Sequence, residues 1–120
     1  MDPLRLGLNT RALPEAGELA RAIIDDLAHE RWADIRARFD DTMRDGLSEQ
    51  ELAEAWAHIV GLAGEYESHG DTAAARTGDF TTTNTPLTFG AGAFVARITF
   101  RDDHTVAGLY ILNPDVAAAN

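Results

Sequence analysis

The apolar positions follow two periods, one before Gly64 and another after it. Apolar residues recur at Ala16, Leu19, Ala20, Ile23, Ile24, Leu27 and Ala28, the i, i+3, i+4, i+7 stripe of an amphipathic helix. Pro14 sits where this helix would begin. Glu15 and Glu18 fall in its first turn, where carboxylates complement the helix dipole. A second stripe runs through Trp32, Ile35, Phe39 and Met43. The pattern leaves open whether it continues the first helix or breaks near His29-Glu30. Asp40 to Gly46 reads as a fraying helix end, with Gly46 available for a left-handed cap. The third helix has the clearest boundaries. Ser48 followed by Glu51 is a capping-box pattern. Leu52, Ala55, Trp56, Ile59, Val60 and Ala63 form one apolar face, and Gly64 ends the helix.

Beyond Gly64 the composition turns to Thr, Phe, Val, Gly and Ile, and the period shifts toward two. Strands are expected over 65–76, 79–89, 92–101 and 105–112. Phe94, Ala96, Ile98 and Phe100 alternate with Ala93, Val95, Arg97 and Thr99. The bulkier set belongs against the helices, with Arg97 on the opposite face. Arg101-Asp102-Asp103-His104 reads as a tight connection that makes the last two strands a hairpin. Asn113-Pro114 stops the final strand and 115–120 reads as a loose tail. At the other end, Leu4, Leu6, Leu8 and Leu13 show no clear period and are compatible with a short strand, an ordered arm or a frayed one. The expectation is a single α+β domain over 1–120: an arm (1–13), a helical half (14–64), an antiparallel sheet (65–114) and the tail, with the helices covering one face of a curved sheet.

At 120 residues the chain suits one domain, and its 45% apolar content argues against disorder. There is no cysteine, which excludes disulfides and thiolate metal sites. The start lacks the basic-then-apolar pattern of a signal peptide, and no apolar run approaches the ~18–20 residues of a spanning helix. A soluble cytoplasmic protein is therefore expected. The net charge is −10, and all ten basic residues are Arg. Because they are interleaved with acids, neither nucleic acid nor an anionic membrane is an expected partner.

The segments Trp32-Ala33-Asp34-Ile35, Phe39-Asp40-Asp41-Thr42-Met43, Leu47-Ser48, Leu52, Trp56, Gly64-Glu65-Tyr66 and Val106-Ala107-Gly108-Leu109-Tyr110, then Pro114, occur in that order. Over about residues 16–114 the chain resembles a bacterial family numbered 3887 among the domains of unknown function, placed in the nuclear transport factor 2-like superfamily. That resemblance implies a cystatin-like, cone-shaped fold: a strongly curved antiparallel sheet wrapping helices, with a pocket at its open end. The superfamily includes isomerases, cyclases, hydrolases and dehydratases beside non-catalytic dimerisation or cargo-binding domains, and this family often occurs beside hydrolase domains. In the isomerase and cyclase branches a catalytic acid or His lies on an early strand after the second helix. Here Phe39-Asp40 runs through Gly46 directly into Ser48, leaving little room for that strand. Superfamily sheets often pair, so a homodimer through the outer sheet face is also expected.

Candidate chemistry is sparse. Asp25-Asp26, Asp40-Asp41 and Asp102-Asp103 are adjacent pairs, which do not share a helix or strand face and read as solvated or capping carboxylates. Asp40 stands apart, because it follows Phe39 at a helix end and has reason to face a pocket mouth. His29, His58, His69 and His104 lack metal-ligand spacing, so no metal or other cofactor is expected. His58, near the edge of the Trp56 stripe, and His69 remain candidate bases. Trp32, Trp56, Tyr66, Phe80, Phe89, Phe94 and Tyr110 read first as core and second as the lining of an apolar pocket. Tyr66 and Tyr110, which carry polar handles, are the better ligand candidates. Trp56, Tyr66 and Tyr110 are expected to line one concave space opening near Met43. The glycines at 90 and 92 read as a hairpin turn or bulge rather than a phosphate cradle, and Ser48 reads as a cap without nucleophile context. Two readings follow. One is a small-molecule-binding or self-association domain with an apolar pocket between helices and sheet. The other is an isomerase-, cyclase- or hydratase-type enzyme acting on an apolar, natural-product-like substrate in the same pocket.

Overall fold

A computed structural model describes residues 11–118. Leu4, Leu6 and Leu8 lie outside them. The element order is α1 (Ala16–Ala28), α2 (Trp32–Ala37), α3 (Asp41–Gly46), α4 (Glu49–Ala63), β1 (Tyr66–His69), β2 (Ala73–Thr77), β3 (Phe80–Phe89), β4 (Gly92–Phe100), β5 (Val106–Leu112) and α5 (Pro114–Ala118). The class is α+β: helices first, then an open five-stranded antiparallel sheet.

The helical stripes break twice. After α1 the Glu30 amide donates to the Leu27 carbonyl and the Arg31 amide to that of Asp26. This is the double closure of a Schellman cap. It puts Glu30 at φ +58°, a left-handed position that glycine usually fills. The second stripe is also not one helix. Asp40 caps α3, its side chain accepting from the Met43 amide at 2.8 Å, so the expected fraying end is a new helix start. Gly46 is the last residue of α3 and carries no left-handed cap. Arg36 does that work instead, donating to the carbonyls of Arg44 and Leu47. The Ser48–Glu51 capping box forms in full at α4. Gly64 turns the chain out of α4 at φ +86°, where a Cβ would meet the Ala91 amide at 3.3 Å.

The sheet keeps the meander layout, with its first strand split. β1 and β2 both pair with β3, which pairs with β4, which pairs with β5. The expected strand 65–76 is interrupted at Gly70-Asp71-Thr72 because Pro86 opposite it has no amide to donate. Instead, the Gly70 amide donates to the Pro86 carbonyl, and the hydroxyls of Thr72 and Thr85 bond each other. One extra residue on this edge, and a second register shift between Tyr66 and Ser68, bend it as β-bulges do.

Helices cover one face of the sheet. Ile23, Ile24 and Leu27 of α1, Ile35 of α2, Phe39, and Leu52 and Trp56 of α4 are buried with Leu87, Phe89, Ala96, Ile98, Phe100 and Val106. Three buried threonines interrupt this apolar layer, and each is satisfied. Thr81 accepts from the amide of Leu13, Thr83 donates to the Ile98 carbonyl, and Thr85 pairs with Thr72. Leu13, at the end of the expected arm, is thereby fixed in the core. The outer face is crossed by α5, where a loose tail was expected. Asn113 caps it through the Asp115 amide, Pro114 occupies the first helical position, and Arg97 donates to both the Asn84 side chain and the Ala117 carbonyl.

Candidate functional site

Trp56 is the hinge of the candidate site. It projects from α4 toward the sheet, is 6% exposed, and joins an aromatic cluster with Tyr66 and Phe89 at ring-centroid distances of 6.1 and 5.6 Å. Tyr66 meets Phe89 edge-on at 5.8 Å, and Phe89 meets Phe94 likewise at 5.6 Å. These tilted contacts are the preferred aromatic arrangements. A shallow space opens on each side of the indole.

On one side, α4 and the part of β5 beyond its Val106 bridge to Phe39 border an apolar groove of about 250 Å³. Leu27, Leu52, Ile59, Leu109 and Ile111 line it with Trp56. The antiparallel register explains the lining from β5. Leu109 lies opposite Ile98, and Ile111 opposite Ala96, so both share the helix-facing side. Tyr110 lies opposite Arg97 on the outer face, is 58% exposed, and contributes only to the rim.

On the other side, a depression of about 550 Å³ lies between α4, the α1–α2 turn and the start of β1. Trp32, Trp56, Tyr66 and Val60 form its apolar part, with Glu30 and Glu65 at its rim. Burial, followed by the negative charge of Asp25, pushes the Tyr66 hydroxyl above its ordinary pKa, so it stays neutral at physiological pH.

The expected single concave space is therefore two. Trp56 borders both, Tyr66 one and Tyr110 the other. Met43 packs against the core and lines neither. His58 is exposed on α4 and lines neither. Asp40 lies in a separate polar hollow with Arg44, Arg101, Asp103 and Thr105. Its carboxylate is 11% exposed and accepts from Arg101 Nε at 2.8 Å and from the Met43 amide. Burial alone would raise its pKa. The two hydrogen bonds and the Arg101 charge outweigh burial and hold it below the ordinary carboxylate value. A carboxylate held ionised by a cap and an ion pair is a structural group, poorly placed to exchange a proton. Among the described residues, no group of three His, Asp or Glu side chains is placed to hold a metal ion. None of their helices is long and apolar enough to cross a membrane.

The sequence pattern does not single out Glu30, Glu65, Leu109 or Ile111. For the last two a signal exists in the alternation Leu109/Ile111 against Gly108/Tyr110/Leu112, but assigning its faces needs the register. For the glutamates there is none, since each lies in a turn between helical or strand patterns.

Residues 20–109 match the family described as "Protein of unknown function (DUF3887)". The chain belongs to that family. Neither the curated proteins nor the solved structures contain a significant match to it.

Proposed function

We propose that this member of the family is a small-molecule-binding domain whose ligand, a compact apolar molecule, occupies the groove between α4 and β5. The observation that carries the reading is the groove itself. Its walls are aliphatic and aromatic, and it holds about 250 Å³, just below the roughly 300–1,000 Å³ typical of drug-sized ligand sites, which suits a compact ligand. Filling it would remove Leu109, Ile111 and Ile59 surface from water, a favourable change of about 25 cal/mol per Å². The enzyme reading has less support, because no carboxylate or imidazole lines the groove and general acid–base work needs one within hydrogen-bond reach. Placement in the nuclear transport factor 2-like superfamily belongs to the same proposal. It is supported by helices lying on one face of a sheet bent by bulges, and by a groove at the helix–sheet boundary.

Ala55, exposed on α4 at the groove wall, offers the test. The neutral dye N-phenyl-1-naphthylamine should bind saturably at one site per chain with enhanced fluorescence. Ala55→Phe, which places a ring in the groove without touching the core, should abolish that binding while leaving the urea midpoint nearly unchanged. Equal dye affinity in the variant, or a response that never saturates, would overturn the proposal.

A further inference from the structure

We propose that the depression on the opposite side of Trp56 is a separate binding site for a small organic cation, a quaternary or protonated amine. Three aromatic side chains from three elements converge there: Trp32 from α2, Trp56 from α4 and Tyr66 from β1. The Trp56 and Tyr66 rings stand 6.1 Å apart at 52°, so they form a corner rather than a closed stack. Aromatic faces attract cations within about 6 Å of the ring centroid, Trp most strongly. Such cages are the usual way proteins hold alkylated ammonium groups.

Charge at the rim selects the same class. Glu30 and Glu65 both border the depression, and among the described residues neither carboxylate has an ion-pair or hydrogen-bond partner. Arg31, the cation next to Glu30 in the chain, is committed elsewhere. It bonds the carboxylates of Asp25 and Asp26, which raise its pKa. The field at the site is thus negative, in a protein whose net charge is −10, and an anionic ligand would be repelled. A neutral apolar ligand would gain nothing from the two carboxylates. The space, about 550 Å³, is within the range of small-molecule sites. The inference is independent of the apolar-ligand reading, since the two sites share only the Trp56 ring.

The tryptophans at the site make the test direct. The full chain is titrated with choline, and separately with its neutral carbon isostere 3,3-dimethylbutan-1-ol, while tryptophan emission is followed. Choline should give a saturable change, and the alcohol should bind about tenfold more weakly, the size expected for a cation over aromatic faces. The double variant Glu30→Gln/Glu65→Gln removes two exposed, unpaired charges, so folding is preserved. It should weaken choline binding several-fold without altering dye binding in the apolar groove. Trp32→Leu should weaken choline binding to a similar extent. Three results would overturn the proposal: equal affinity for choline and the alcohol, no saturable response to choline, or unchanged choline affinity in the double glutamine variant.

Discussion

The two sides of Trp56 are built from the same helix and differ in what faces it. Toward β5, α4 meets a strand whose inward positions are Leu109 and Ile111, and the space between them is apolar. Toward β1, α4 meets two chain reversals, the α1–α2 turn and the Gly64 turn. Reversals bring backbone and charge to the surface, here as Glu30 and Glu65. The secondary-structure boundary therefore sets the chemistry of each space. A helix facing a regular strand leaves a hydrophobic groove, whereas a helix facing turns leaves aromatic walls with a charged rim.

The strongest way to break this comparison is to remove the wall between the two spaces. Trp56→Ala should cost about 3–5 kcal/mol, the usual penalty for deleting a large buried aromatic. The Trp56 contacts with Tyr66 and Phe89 go with it. In urea denaturation the midpoint should fall sharply, and in the fraction still folded both dye and choline binding should be lost together. If one survives intact, the two sites do not share the indole as a wall.

A residue outside both spaces sharpens the contrast from the other direction. Asp40→Ala removes the α3 cap and the Arg101 ion pair, and should cost about 1–2 kcal/mol on the scale of cap deletions. Dye and choline affinities should not change. The pH dependence has a definite sign. The folded pKa of Asp40 lies below its unfolded value. Its contribution is therefore present above about pH 4, near the ordinary carboxylate value, and is lost as pH falls through the folded value. The wild type should consequently lose more stability than Asp40→Ala between pH 5 and the acid range, as read from urea midpoints at each pH. Parallel losses would remove Asp40 from the account of acid stability.

Much of the fold is legible in the sequence, because it rests on local rules. The α1 stripe, the Ser48–Glu51 box, the Gly64 stop and the alternation in β4 each name a boundary or a face within a few residues. The site is less legible, since it depends on which distant elements meet. Tyr110 carries a polar handle at a promising position. Its direction is fixed only by pairing with Arg97, and that follows from the register shift between Thr99 and Phe100. Asp40 looks like a group at a helix end, but that it starts a helix shows in its bond to the Met43 amide, and its orientation is set by distant partners, Arg101 and the Val106 carbonyl. The β1–β2 break does have a local cause, Pro86, but its effect appears on the neighbouring strand. The tail helix was readable from Asn113-Pro114-Asp115, a cap, a first-turn proline and a first-turn acid.

Glu30 gives the smallest effect and the sharpest test of how turn and site are related. It holds φ +58° at the position after α1 where glycine is the usual residue. A left-handed conformation costs a residue with a Cβ roughly 1–2 kcal/mol. Glycine relieves this but gives back part of the gain through the greater freedom of its unfolded chain. Glu30→Gly should therefore stabilise the protein by about 0.5–1 kcal/mol, seen as a higher urea midpoint, while weakening choline binding a few-fold because one rim carboxylate is gone. Glu30→Gln, which keeps the strain and removes only the charge, should lower choline affinity to the same degree with no gain in stability. That pattern would mark Glu30 as a residue kept for its carboxylate at the expense of the turn. A loss of stability in Glu30→Gly would show instead that the side chain secures the α1–α2 turn, and the charged rim would then follow from the fold alone.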